Sequence, residues 1–153
     1  MKKLNIPTTK GRADVPAFFV DGVSALAITM TNFGLFEVTH IKSGHKIIGG
    51  FERFANAVVE MLSLHLAMTE AGIDFDAEHD EFKRQVKESS IKSEHISGLT
   101  LVEYLQIMRP IMGFSGEFPW EGEEESPHTK ASQLIAKINE LNDVKRVKET
   151  NHV

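Results

Sequence analysis

A nearly continuous apolar stretch covers residues 57–68, where Glu60, Ser63 and His65 are the polar interruptions. Apolar side chains at helical spacing extend this pattern over residues 51–71. A helix that is apolar on nearly every side must be covered by the rest of its chain or by a second copy. The pattern therefore predicts a buried central helix, and it favours a homo-oligomer.

The residues before this helix show the period-two alternation of half-buried strands. Apolar runs flank Asp21-Gly22 and predict a hairpin, because both residues tolerate the positive φ of a type I′ turn. Turn-forming residues at 31–32 and 42–44 separate the strands that follow. The pattern predicts an antiparallel meander of three or four strands, preceded by a flexible basic arm over residues 1–14.

Further helices are predicted after the central one. Asp74 is positioned to cap a second helix that ends near Glu88, and Thr100 with Glu103 fits a capping box at the start of a third. Residues 113–125 are rich in Gly and Glu and predict a long loop.

The last predicted helix begins at Ser126-Pro127 and ends near Lys148. The fold class is therefore α+β, with the N-terminal meander packed on the central helix and about three further helices behind it. We expect a single domain over residues 15–148 and a polar tail over residues 149–153.

The composition narrows the classes of function. The chain has 153 residues, of which 41% are hydrophobic, and its net charge is −5. This acidic balance argues against nucleic acid as a partner, although the basic arm and the turn at residues 42–46 keep a local basic patch open as an alternative. The sequence contains no cysteine, which excludes disulfides, thiolate metal sites and cysteine nucleophiles. No signal peptide or membrane-spanning run is recognised, so we predict a cytoplasmic protein without membrane contact.

A ligand site is predicted around Tyr104, Arg109, Phe114 and Trp120. Aromatic faces suit a nucleobase, and a guanidinium suits a phosphate. The glycines of the same segment would let it close over a small molecule. The competing interpretation is that Phe114 and Trp120 anchor the loop to the core.

Histidines supply the other candidate ligand contacts. His65 lies on the apolar face of the central helix, where it either contacts a ligand or is a hydrogen-bonded core residue. His40 and His45 flank a turn that also carries Lys42, and this group could contact an anion. A two-residue turn would place these two histidines on the same face, and a three-residue loop would place them on opposite faces.

Motifs for known catalytic centres are absent from the sequence. The acidic run at residues 74–81 has His79 where a calcium-binding EF-hand loop needs Gly, and it fits the first turn of a helix instead. We therefore predict no metal site and no cofactor. The alternative is a metal-assisted hydrolase that uses His40, His65 and His79 with neighbouring carboxylates.

The segment over residues 34–71 resembles small accessory proteins of bacteriophages in its order of strand, turn, strand and helix, with the motifs Thr39-His40-Ile41-Lys42-Ser43-Gly44 and Gly49-Gly50. Many such viral proteins inhibit host defence by binding a host protein or by sequestering a nucleotide signal. The resemblance therefore implies a non-catalytic binding protein, a regulator or inhibitor, that acts by protein–protein contact or by holding a small nucleotide-like ligand.

Overall fold

A computed structural model of the chain describes residues 2–8, 10–32, 34–112 and 127–150. The strands are β1 (Lys2–Thr8), β2 (Gly11–Val20), β3 (Val23–Asn32), β4 (Leu35–His40) and β5 (Lys46–Phe51). The α-helices are α1 (Phe54–Glu70), α2 (His79–Glu88), α3 (Leu101–Met112) and α4 (Pro127–Thr150), and a short 3₁₀ helix covers Glu94–Ile96. The predicted α+β fold class is confirmed, with five strands in the described sheet instead of three or four.

The strands form one antiparallel sheet in the order β1-β2-β3-β4-β5, so each strand pairs with its neighbour in sequence. The hairpin turn predicted at Asp21-Gly22 joins β2 to β3. Gly22 has a φ of 89°, a conformation that favours glycine. This local signal was sufficient because a two-residue hairpin depends on the conformations of its own turn residues.

Residues 1–14 were expected to form a flexible arm, but Lys2–Thr8 forms β1 and pairs along its length with β2. The side-chain amide of Asn5 donates to the carboxylate of Asp14 over 2.9 Å, and Ile6 is buried. The prediction missed this strand because its side chains are mostly polar and exposed, so the apolar pattern carries little of its signal. The hydrogen bonds that hold it are made by the backbone.

Helix α1 lies between two covering layers of its own chain. It contacts β3, β4 and β5 of the sheet as well as α4 and the 3₁₀ helix. Its fully buried side chains include Met61, Leu62, Leu64 and Met68, and they belong to one continuous apolar core. The predicted central helix is thus covered within the chain, and the homo-oligomer stays a prediction.

Local sequence signals predict the start of α3 correctly but not the start of α2. The predicted capping box is present at α3, since the backbone N–H of Thr100 donates to Glu103 over 3.1 Å and that of Glu103 donates to the Thr100 hydroxyl over 3.4 Å. Helix α2 begins at His79 instead of near Asp74. The Asp74 carboxylate accepts the backbone N–H of Asp76 over 3.0 Å and so caps a turn before the helix. Among the described helices, none is long and apolar enough to cross a membrane.

Candidate functional site

A cavity of about 300 Å³ lies where the β4–β5 connection, α2 and α3 meet, with Met68 of α1 at its base. Its apolar lining comprises Ile47, Met68, Phe82, Val86 and Leu105. Its polar lining, within the described residues, comprises His40, Ser43, His45, Lys46, His79, Lys83 and Arg109. The cavity therefore combines apolar walls with converging polar groups, as small-molecule sites do.

The polar lining is cationic. Lys46, Lys83 and Arg109 are permanently charged at neutral pH, and none of the described lining residues is acidic. Asp76 and Asp80 lie close enough to raise the pKa of neighbouring histidines, but neither lines the cavity. Since the whole chain has a net charge of −5, this concentration of positive charge is local and favours a bound anion.

His40 is fully buried in the wall of the cavity and hydrogen-bonded at both ring nitrogens. Its Nε2 lies 2.7 Å from the carbonyl oxygen of Phe75, and its Nδ1 lies 2.9 Å from the hydroxyl oxygen of Ser43. The ring also stacks on Phe82, with centroids 3.8 Å apart. Burial lowers the pKa of His40, although its hydrogen bond to the Phe75 carbonyl partly opposes this effect. His40 is therefore held in one orientation and favours its neutral form.

His45 and His79 stack on each other with ring centroids 3.5 Å apart, although one lies in the β4–β5 connection and the other begins α2. Burial lowers the pKa of His45, and the neighbouring His79 and Arg12 lower it further. A neutral His45 ring stacks on its neighbour without added electrostatic repulsion, so the contact matches this direction of shift.

Both histidines that flank the predicted turn line the same cavity. The connection runs between His40, the last residue of β4, and Lys46, the first of β5, which is longer than either predicted turn. A register shift between Val38 and Thr39 also interrupts the β4–β5 pairing just before it. Strand alternation therefore could not decide between the two predicted arrangements, because a bulge changes which face a side chain occupies.

Arg109, one residue of the predicted ligand site, lines the cavity. Its Nε donates to the backbone carbonyl of Ile47 over 2.9 Å, and this bond fastens the guanidinium of α3 to β5. Tyr104 takes a different position on the same helix: it is buried, and its hydroxyl donates to the two carboxylate oxygens of Glu60 over 2.8 and 2.9 Å. Phe114 and Trp120 lie outside the described residues.

The remaining predicted contacts lie away from the cavity lining. His65 packs parallel to Phe75 with ring centroids 5.4 Å apart, and its buried Nδ1 has no hydrogen-bond partner within the described residues. Burial lowers the pKa of His65. Lys42 is exposed at the surface, where its Nζ lies 3.8 Å from the Glu78 carboxylate.

The prediction missed most of the α2 contribution. His79, Phe82, Lys83 and Val86 occupy positions i, i+3, i+4 and i+7 and share one face of the helix. This spacing is present in the sequence, but the acidic residues around His79 also fit the first turn of a helix, so the segment predicts helix capping. The sequence indicates only a turn residue at Ser43, because its contact with His40 depends on the three-dimensional structure.

No group of three or more His, Asp or Glu side chains in the described parts of the chain could hold a metal ion. His40, His45 and His79 thus line the cavity without belonging to a recognisable set of metal ligands among the described residues. Comparisons with known protein families, with curated proteins and with solved structures found no match for this chain.

Proposed function

We propose that this protein binds a small anionic, nucleotide-like ligand in the cavity and acts as a regulator or inhibitor by sequestering it. The observation that carries the proposal is the lining itself. Side chains of Lys46, Lys83 and Arg109 meet there with His40, His45 and His79, and no acidic residue lies among the described lining residues. A chain with a net charge of −5 has no general attraction for anions, so a selective site must depend on such local concentration.

The size and the apolar part of the cavity support a ligand with a flat ring. About 300 Å³ is at the lower end of the range of small-molecule sites, which suits a mononucleotide better than a larger cofactor. Phe82 and the stacked pair of His45 and His79 supply planar side chains beside apolar Ile47 and Leu105. A phosphate at the cationic groups and a base against the planar groups would satisfy both parts of the lining.

Arg109 is the group whose removal tests this proposal best. Its Nε is already bonded to the Ile47 carbonyl, so the guanidinium is held in place before a ligand arrives. A hydrogen bond from a charged group to a phosphate contributes roughly 1.5–3 kcal/mol. We therefore expect Arg109→Ala to weaken nucleotide binding by about 10- to 100-fold.

Calorimetry with adenosine monophosphate, guanosine monophosphate and inorganic phosphate measures this effect. Arg84→Ala is the matched control, because Arg84 also belongs to a helix at the site but pairs at the surface with Glu81 and Glu88 and does not line the cavity. This control should retain the wild-type affinity. Equal affinities of the two variants, or no binding of these anions by the wild type, would contradict the proposal.

A further inference from the structure

We infer that Ser43 and His40 form a nucleophile–base pair that can cleave a carboxylic ester whose acyl group or leaving group is anionic. The inference rests on the proposed function, because it uses the same cavity to bind the anionic part of the substrate. Its geometric basis is a chain of two hydrogen bonds, 2.9 Å from Ser43 Oγ to His40 Nδ1 and 2.7 Å from His40 Nε2 to the Phe75 carbonyl oxygen. A nucleophile, a base and a group that orients the base are the three parts of such a site.

The chemistry of the partners fixes the direction of both hydrogen bonds. The Phe75 carbonyl can only accept, so Nε2 of His40 carries the proton and donates it. In the neutral ring Nδ1 is then unprotonated and accepts, and the Ser43 hydroxyl is its donor. The protein thus holds the tautomer in which His40 can remove the proton from Ser43.

The pair is also held rigidly next to the space where a substrate would bind. His40 is fully buried against Phe82, and the backbone N–H of His45 donates to Ser43 Oγ over 3.2 Å. His40 and Ser43 both line the cavity. A serine that only stabilised the turn would need the His45 contact but would not need a base oriented by a second hydrogen bond.

The other histidines fit a phosphodiester mechanism poorly. Acid–base cleavage of a phosphodiester by two histidines needs one imidazole on each side of the phosphorus atom. His45 and His79 stack with centroids 3.5 Å apart, which leaves no room for a phosphate between them. Both nitrogens of His40 are engaged, so its route for accepting a proton from a reaction runs through Ser43. The arrangement therefore favours acyl transfer to serine.

The reaction balances without a further reactant except water. Ser43 Oγ bonds to the ester carbonyl carbon as its proton passes to His40 Nδ1, and the bond from that carbon to the leaving oxygen breaks. The leaving oxygen takes the proton from His40 and departs as an alcohol. Water, deprotonated by His40, then attacks the acyl-serine, releases the carboxylic acid and restores the Ser43 hydroxyl. Lys46, Lys83 and Arg109 supply positive charge for the anionic part of the substrate.

The test uses mono-4-nitrophenyl glutarate, an activated ester with a free carboxylate, and follows both the release of 4-nitrophenol and the intact mass of the full chain. We expect one glutaryl group to be added at Ser43, at least about 100-fold faster than any acylation of Ser43→Ala. The rate of acylation at Ser43 should fall by a similar factor in His40→Gln. Equal rates in the wild type and Ser43→Ala, or acylation only at other residues, would overturn the inference.

A second measurement reports on the base itself and is independent of turnover. The chain has no cysteine, so Ser43→Cys introduces a single thiol whose alkylation by iodoacetamide can be followed against pH. A neighbouring base that takes the proton should move the midpoint of alkylation below about pH 8.5, the usual value for a cysteine. His40→Gln in the same background should return it to that value, whereas a midpoint at or above about 8.5 with His40 present would contradict the pair.

Binding of adenosine monophosphate by Ser43→Ala separates this inference from the proposed function. Binding that persists while acylation is lost supports both the cavity and the pair. If the variant and the wild type both bind the nucleotide but the wild type is neither acylated nor releases 4-nitrophenol faster than Ser43→Ala, the proposed function stands and the nucleophile–base pair is wrong. If the wild type binds no anion and is acylated no faster by the anionic ester than by 4-nitrophenyl acetate, both fail.

Discussion

Two buried polar pairs in this molecule have similar chemistry and different surroundings. Tyr104 of α3 donates to Glu60 of α1 inside the core, and Ser43 contacts His40 at the end of β4. Burial shifts the pKa of each acid or base toward its neutral form. All three titratable groups are buried, but Glu60 and Tyr104 line no part of the cavity, whereas His40 and its partner Ser43 do line it. A shifted pKa becomes available for function only where a ligand can reach the group.

The Tyr104–Glu60 pair in the core is therefore expected to affect the free energy of unfolding. Burial raises the pKa of Glu60 from 4.5 to about 7, and the hydrogen bond from Tyr104 opposes this only in part. The folded protein thus holds a proton on Glu60 in a range where the unfolded chain has lost it. Stability then falls as the pH rises from about 4.5 to about 7, because ionised Glu60 is unfavourable in the core.

The largest expected effect is that of Glu60→Gln, which keeps the shape and an acceptor for the Tyr104 hydroxyl but cannot ionise. Above about pH 7 the variant should unfold with a free energy roughly 3 kcal/mol higher than the wild type, from 1.36 kcal/mol per pKa unit. Near pH 4.5 the difference should vanish, since Glu60 is then protonated in the folded wild type. Urea unfolding at a series of pH values measures this.

Tyr104→Phe tests the same hydrogen bond as Glu60→Gln from the side of its donor. It removes the donor to the Glu60 carboxylate and should destabilise the protein by about 1–3 kcal/mol, most strongly at high pH. A difference between Glu60→Gln and the wild type that stays constant with pH would show that the carboxyl does not titrate in the folded state as described.

The affinity of the cavity for an anion should depend on pH. Burial lowers the pKa values of His40 and His45, so both are neutral in the free protein near pH 7, and a bound anion would favour their protonated forms. Affinity should rise as the pH falls below about 6.5, by up to about tenfold per pH unit for each proton taken up. The unliganded fold should lose stability over the same range, because the unfolded chain binds these protons more readily.

Competition between sulfate and a fluorescent adenine nucleotide measures this pH dependence, since sulfate keeps its charge throughout the range. His45→Gln should flatten the profile, whereas Glu60→Gln should leave it unchanged because the carboxyl lies outside the cavity lining. A wild-type affinity that does not change with pH would contradict the proposed difference between the Ser43–His40 pair at the cavity and the Tyr104–Glu60 pair in the core.

The smallest expected effect distinguishes Lys42, in the β4–β5 connection, from Lys46, the first residue of β5. Lys42 is exposed and lies 3.8 Å from Glu78, so Lys42→Ala should change stability by less than about 0.5 kcal/mol and leave anion affinity within about twofold. Lys46→Ala, which removes a lining cation, should weaken binding by about tenfold. The same nucleotide titration measures the anion affinity of both variants. Equal losses of affinity would mean that the anion contacts the outside of the turn.

Much of the fold could be predicted because its signals are local. The turn at Asp21-Gly22 and the capping box of Thr100 and Glu103 depend on residues within a few positions of each other. Strand β1 was not predicted because its register is set by backbone pairing with β2, and Leu4 and Ile6 alone give only a weak apolar pattern. The start of α2 was misplaced because the Asp74 side chain can cap a turn as well as a helix.

The sequence alone determined the α+β class, the buried central helix and the presence of Arg109 and His45 as groups able to meet an anion. Tertiary structure decided which of the candidates meet. It joins Arg109 to Ile47, stacks His45 on His79 and directs Tyr104 to Glu60 instead of to the cavity. The physical reason is that spacing along a helix or strand fixes a side chain's direction within its element, whereas a site formed by several elements depends on how they pack.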